Sequence, residues 1–269
     1  MLNNKLILIT GGSSGIGKAA ATLLVQQGAK VLLQARTESK LEEAAKAMDP
    51  TGKQVAWVST DLTDLDSVTS SAASIVETHG VPDVIINSAG SGEWLSLAES
   101  TAEHYLETIQ SPYLATAYTC KVFFDYMQER GTGQFIIVNS VACYVPIPGA
   151  IGYATSRSAM QGFANSMQAD LHHTKFKVSL ITLGKVDSPY FTNNPISEQR
   201  IPKAVGWFVS TMTETAAGKE VVKLVHRPKE IVVKPVMMNV LVFLNRFFPG
   251  AFKWIMRTTG YKAPNQRNR

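Results

Sequence analysis

Two groups of residues in this 269-residue chain have types and spacings that could do chemistry. The first is Thr10-Gly11-Gly12-Ser13-Ser14-Gly15-Ile16-Gly17, which follows the apolar run Leu6–Ile9 and opens a segment of helical periodicity. Glycines there let the backbone turn tightly and approach a pyrophosphate, and the helix start beyond them offers free N–H groups and a positive dipole end. The second group is Tyr153 with Arg157, four positions apart and so on one face of a helix. A phenol can hand a proton to an oxygen that gains negative charge during a reaction. Free tyrosine ionises near pH ~10, and bringing that to about 7 takes roughly 4 kcal/mol of differential interaction, which a nearby cation can supply. Arginine keeps the permanent charge, carried on a planar fork instead of a compact ammonium.

The elements that must position these groups are legible as alternating short apolar runs and helix-period segments. Leu6–Ile9, Val31–Leu33, Val55–Val58, Val84–Ile86, Phe135–Val138 and Val178–Ile181 are compact and mostly β-branched or aliphatic, as strands buried on both faces should be. Between the first two, Ile16, Ala19, Ala20, Leu23 and Leu24 recur at helical spacing from Ile16 to Gln27, and Gly28 supplies a stop. Six strands alternating with helices predict an α/β fold, a doubly wound parallel sheet of Rossmann-like type. Residues 1–269 read as one domain, with a substrate lid at 189–230 and a basic amphipathic tail at 231–269.

Thr10-Gly-Gly-Ser-Ser-Gly-Ile-Gly17, Asn87-Ser-Ala-Gly90, and Ser140 followed by Tyr153 together resemble the short-chain dehydrogenase/reductase family, over roughly residues 5 to 190. Within that family, Gly12-Ser-Ser-Gly-Ile-Gly-Lys18 and Ala35-Arg-Thr-Glu-Ser-Lys-Leu41 look most like 3-ketodihydrosphingosine reductases and related ketone reductases. The resemblance implies that Tyr153 is the general acid, that Ser140 polarises the substrate carbonyl, and that Arg157 tunes Tyr153 and holds the nicotinamide ribose. It also implies that Gly11, Ser13, Ser14, Gly15, Ile16 and Gly17 cradle the dinucleotide. Asp61 and Leu62 would lie against the adenine, and Asn87, Ala89 and Gly90 along the path to the nicotinamide. Leu183-Gly184-Lys185-Val186-Asp187-Ser188-Pro189 is similar to the family's segment after the sixth strand, so the Val186 backbone and Ser188 hydroxyl would hold the carboxamide.

Two positions depart from that pattern. The family's lysine four residues beyond the tyrosine is Arg157 here, and the asparagine it carries before the fifth strand appears as Pro112, unless Gln110 or Ser111 takes that place by a slip of register. Proline has neither amide hydrogen nor polar side chain, so it cannot support a relay water. The second strand ends in Gln34-Ala35-Arg36, with no carboxylate for a free ribose 2′-hydroxyl. Arg36 offers its fork to a 2′-phosphate, which favours NADP(H) over NAD(H). The sequence thus predicts an NADPH-dependent reductase of a hydrophobic ketone, with a long-chain 3-ketosphinganine-like lipid as one candidate. A nucleotide-binding protein with weak or no catalysis, acting as a scaffold or sensor, is the alternative that Pro112 and Arg157 motivate.

Composition narrows the remaining classes. Charged residues make up 17% of the chain, below the roughly 25% usual for soluble domains, and 45% of residues are hydrophobic, so some surface should be apolar. Cys120 and Cys143 lack the paired spacing of a disulfide framework or a metal site, and point to a reducing, cytoplasmic compartment. The adjacent His172 and His173 read as solvated, and no metal-ligand spacing occurs. Leu6–Ile9 is too short for a secretory segment, and Pro235 to Leu244 is about half of the ~18 residues that a spanning helix needs. Net charge is −3 over residues 1–219 and +8 over residues 220–269. That asymmetry argues against nucleic-acid binding by the body. It suggests peripheral contact of the tail with a membrane, where Val232 to Met256 mixes aromatic and aliphatic residues with Lys234, Arg246 and Lys253. The same face could instead be a lid or a dimer surface, and the family resemblance implies a homo-oligomer.

Overall fold

The computed structural model describes residues 2–3 and 5–263. The chain begins β1 (Leu6–Thr10), α1 (Gly15–Val25), β2 (Lys30–Ala35), α2 (Glu38–Met48), β3 (Val55–Ser59), α3 (Leu65–His79) and β4 (Val84–Asn87). It continues through α4 (Ala102–Ile109), α5 (Ala115–Arg130), β5 (Gln134–Ser140), α6 (Ile151–Asp170), β6 (Lys177–Leu183) and β7 (Val186–Asp187). The last third holds α7 (Pro189–Asn193), α8 (Pro195–Gln199), α9 (Lys203–Phe208), β8 (Met212–Thr213), α10 (Glu214–His226), β9 (Ile231–Lys234), α11 (Val236–Phe247) and α12 (Pro249–Thr259).

All six strands expected from the sequence form, and they pair in parallel in the order β3-β2-β1-β4-β5-β6. Alternation sorts their side chains. Ile7, Ile9, Val31 and Leu33 face α1, α2 and α10, while Leu8, Leu32, Ile85 and Phe135 face α3 and α5 through Ile75, Phe123 and Met127. The strand order reverses between β1 and β4, which opens a crevice at their carboxyl ends. Thr10 ends β1 there, and its Oγ1 accepts the N–H groups of Ser88 (3.1 Å) and Ala89 (3.2 Å), tying the two strand ends together.

The expected boundary between lid and tail is corrected. β9 is a seventh strand, parallel to β6 at the sheet edge, and α10 packs along α1 over the same sheet. The approach of these helices is close: a side chain on Gly218 would meet Ala19 and Ala20 at 3.0 Å. Ala217, Val221, Val222 and Leu224 give α10 its apolar stripe. Residues 214–234 therefore belong to the body, which leaves α7, α8 and α9 as the covering segment and α11 and α12 as the tail. Positions 264–269 of the expected tail lie outside the described residues.

α4 and α5 meet in a kink where Ser111 leaves helical dihedrals (φ −127°, ψ 111°) ahead of Pro112, as the ring of proline demands. Among the described residues, no helix is long and apolar enough to cross a membrane.

Candidate active site

At the β1–β4 crevice lies a cleft of about 500 Å³, floored by strand ends and roofed by α7, α9 and the chain just before α9. Its inner wall is the glycine turn. Gly11 has φ +67°, and a Cβ on it would stand 2.9 Å from the Ala89 backbone. A Cβ on Gly17 would press on the Gly11 carbonyl oxygen at 2.5 Å, and one on Gly12 on Leu33 at 2.7 Å. At Gly11 and Gly17 the obstacle is backbone, so no larger residue fits there and the chain lies close against the start of α1. Ser14, the residue before that helix, makes no side-chain hydrogen bond to its first turn. The first N–H groups are thus left for a ligand.

Gly11, Ser14, Gly15, Ile16, Arg36, Ala89, Gly90, Ser140, Tyr153, Arg157, Val186 and Ser188 all line this one cleft. Five other positions read from the sequence do not. Gly17 is buried against the Gly11 carbonyl behind the turn, and Ser13 is half-buried outside the lining. Asn87 is buried and turned away, its Nδ2 donating to Cys120 Sγ at 3.3 Å, because it closes β4 on the face that α5 covers. Leu62 is buried against Val68 and Ala115. Asp61 is exposed, and its carboxylate accepts the N–H and hydroxyl of Thr63 at 3.0 and 2.7 Å. Those bonds, with the Arg36 charge as a smaller contribution, hold its carboxyl below the usual range.

Tyr153 and Arg157 sit on the first two turns of α6. Tyr153 is 6% exposed, with Trp94 and Tyr190 against its ring at centroid distances of 5.2 and 6.0 Å. The Arg157 guanidinium lies 4.9 Å from the centre of the same ring. Its other neighbours are Gly90 and Pro112: a side chain added at Gly90 would meet Arg157 Nη2 and Pro112 Cβ, each at 3.0 Å. Pro112, buried at the α4–α5 kink, and this cation both border the space beside Gly90. Arg157 is 8% exposed, Nη1 approaches Met160 Sδ at 3.7 Å, and Nε is buried with no partner among the described residues. Asn139 Nδ2 holds the Arg157 carbonyl at 3.0 Å, fixing the α6 backbone against β5. Ser140 ends β5 on the cleft wall, its Oγ accepting the Ala142 N–H at 3.3 Å.

Trp94 is a cleft residue that the sequence does not single out, and Tyr190, one of the apolar residues of the covering segment, is its partner. Tyr190 donates to the Gly92 carbonyl and accepts from Trp94 Nε1 at 3.0 Å, and burial pushes its phenol above the ordinary range. It is a wall post, not a second acid. Burial likewise pushes the Cys143 thiol up to about 12, leaving no reactive thiolate beside Ser140. Arg200, 6% exposed, grips Glu99 through two bonds of 2.6 and 2.8 Å. Tyr261 donates to the same carboxylate at 2.7 Å, and the Arg200 guanidinium stacks 4.1 Å from its ring. Pairs of this kind, far apart in sequence, carry no local signal.

A glycine cradle at a sheet switch point, with a phenol and a cation on the helix beside it, defines a dinucleotide-binding α/β protein equipped for proton transfer. A family model described as short chain dehydrogenase matches residues 5–199, and the chain belongs to that family. A dehydrogenase/reductase SDR family protein 7-like of Anopheles gambiae is 27% identical over 97% of this chain and 84% of its own length. Among solved structures, an alcohol dehydrogenase of Thermococcus sibiricus complexed with 5-hydroxy-NADP is 26% identical, covering 85% of this chain and 93% of that one, with a TM-score of 0.72. A short-chain dehydrogenase/reductase from Burkholderia phymatum in complex with NAD shares the fold at a TM-score of 0.82, with 19% identity over 93% and 95% of the two chains. The protein is accordingly an oxidoreductase of the nicotinamide-dependent kind.

Proposed function

We propose that the protein reduces the ketone of a hydrophobic substrate with NADPH. The observation that carries this reading is the phenol of Tyr153, with the Arg157 guanidinium against its ring, on the wall of the cleft that the glycine turn and Ser140 also line. The cofactor fits the residues present. The glycine turn would take its pyrophosphate, Arg36 its 2′-phosphate, and Arg157, whose buried Nε has no partner among the described residues, the ribose hydroxyls. When bound, NADPH supplies the hydride. Ser140 orients the carbonyl by donating to its oxygen, and Tyr153 delivers a proton to that oxygen as its charge grows.

Preference for NADP(H) rests on Arg36, which lines the cleft just beyond β2, and on the NADP analogue held by the Thermococcus relative. Trp94, Ile147, Tyr190, Phe191, Ile201 and Val205 line the outer part of the cleft, which supports an apolar substrate. A long-chain keto lipid of the 3-ketosphinganine type is the finer form of this proposal. The test is a panel of aliphatic and lipidic ketones with NADPH, followed by loss of nicotinamide absorbance and product identification. Turnover of short polar ketones alone would remove the lipid reading.

A second reading has its own observation: Pro112, buried beside Gly90 and Arg157, offers no polar group to a proton relay. It makes the protein a nucleotide binder with weak catalysis. NADPH binding without turnover of any ketone in the panel, together with a gain of activity in Arg157→Lys, would establish it.

A further inference from the structure

The helices that close the described chain carry apolar residues on two sides, and only one side is covered. α11 turns Met238 and Val242 inward against Val209 and Val233, with Leu241 beside them. Its outer side repeats Val236, Met237, Val240, Phe243, Leu244 and Phe247 at helical spacing, and these are 37% to 67% exposed. A helix that is apolar all round belongs in an interior, and here half of that interior is missing. α12 adds Trp254 (66% exposed) beyond Phe248 (60%), and α9, which packs on α12, adds Trp207 (66%) and Phe208 (58%). Single exposed apolar side chains are ordinary, but aromatic rings gathered on three touching helices mark a contact surface.

Charge selects the occupant. From position 235 to 263 the chain carries Arg246, Lys253, Arg257 and Lys262 and no Asp or Glu. A second copy across a two-fold axis would set those cations against themselves. Anionic headgroups would pair with them while the rings and aliphatic side chains settle beneath the phosphates. At 12 and 11 residues, α11 and α12 are far too short to span and of a length to lie in the interfacial plane. α9 also links this face to the cleft, since Val205 lines the cleft wall and Trp207 and Phe208 point outward on the same short helix.

We propose that the face formed by α9, α11 and α12 docks on an anionic lipid bilayer. This goes beyond the catalytic reading and does not depend on it. The test is sedimentation of the full chain with phosphatidylcholine vesicles, with and without phosphatidylserine. Two variants accompany it: Phe243→Ser/Phe247→Ser/Trp254→Ser, and Arg246→Glu/Lys253→Glu/Arg257→Glu. Thermal midpoint and NADPH affinity are measured on each, to establish that they are folded. Wild type is expected to partition onto the serine-containing vesicles at least about tenfold better than onto neutral ones, and each folded variant to lose at least about tenfold. Three outcomes overturn the proposal: wild type that ignores anionic vesicles, a folded aromatic variant that binds them undiminished, or a wild-type dimer that the aromatic variant dissolves while neither form binds lipid.

Discussion

At the scale of single residues, the site divides into groups that touch the chemistry and groups that shape the space for it. Tyr153→Phe removes the transferable proton and little else, so turnover is expected to fall by about 10²- to 10⁴-fold, with NADPH affinity, read by fluorescence titration, changed by less than about threefold. Arg36→Ala is expected to weaken NADPH binding by about tenfold or more while leaving NADH binding nearly unchanged, because only one of the two carries the 2′-phosphate. Equal losses for both cofactors would remove Arg36 from that role. That Tyr153, Arg157, Ser140 and the glycine turn share one cleft was legible, because each stands at the end of a strand or on the helix beside it. Asn87 was misplaced because spacing along a strand does not say which face its last side chain takes, and here it takes the α5 side. Trp94 and Tyr190 were invisible as a pair, being brought together from positions 96 apart.

At the scale of elements, the β1–α1 turn has no room to vary. Gly11→Ala would force a positive φ on a residue with a side chain and drive that side chain into the Ala89 backbone at 2.9 Å. A loss of about 1–3 kcal/mol is expected, with cofactor binding reduced alongside, measured by urea unfolding and NADPH titration. The Arg200–Glu99 pair makes a prediction in pH. The paired hydrogen bonds from Arg200 hold the Glu99 carboxyl well below the usual carboxylate range. A group with a depressed folded value stabilises above its unfolded value and loses that contribution as pH falls toward the folded one. Wild type should therefore lose thermal stability as pH drops below about 4.5, the ordinary value for this carboxyl. Glu99→Gln should start lower at neutral pH and decline less steeply. Asp49, held at about 2 by Thr51 and the Gln54 backbone, adds a decline that both proteins share. Parallel curves for the two proteins would show that Glu99 contributes nothing.

At the scale of the whole molecule, the sheet was readable because doubly buried strands are short apolar runs, and their alternation with helices admits few topologies. β9 has little signature in the sequence, because its four residues, Ile231–Lys234, are a short apolar run inside a basic, aromatic stretch. The seventh strand yields a prediction about truncation. A chain ending at residue 229 bares the edge of β6 and should melt well below one ending at residue 235, which keeps that edge paired, or should aggregate during purification. Differential scanning fluorimetry distinguishes them. The clasp of Arg200, Glu99 and Tyr261 has a mechanical consequence. One carboxylate rivets the hood of the cleft to the chain just past α12, so lifting the hood at Arg200 would have to break these bonds or carry Glu99 and Tyr261 along.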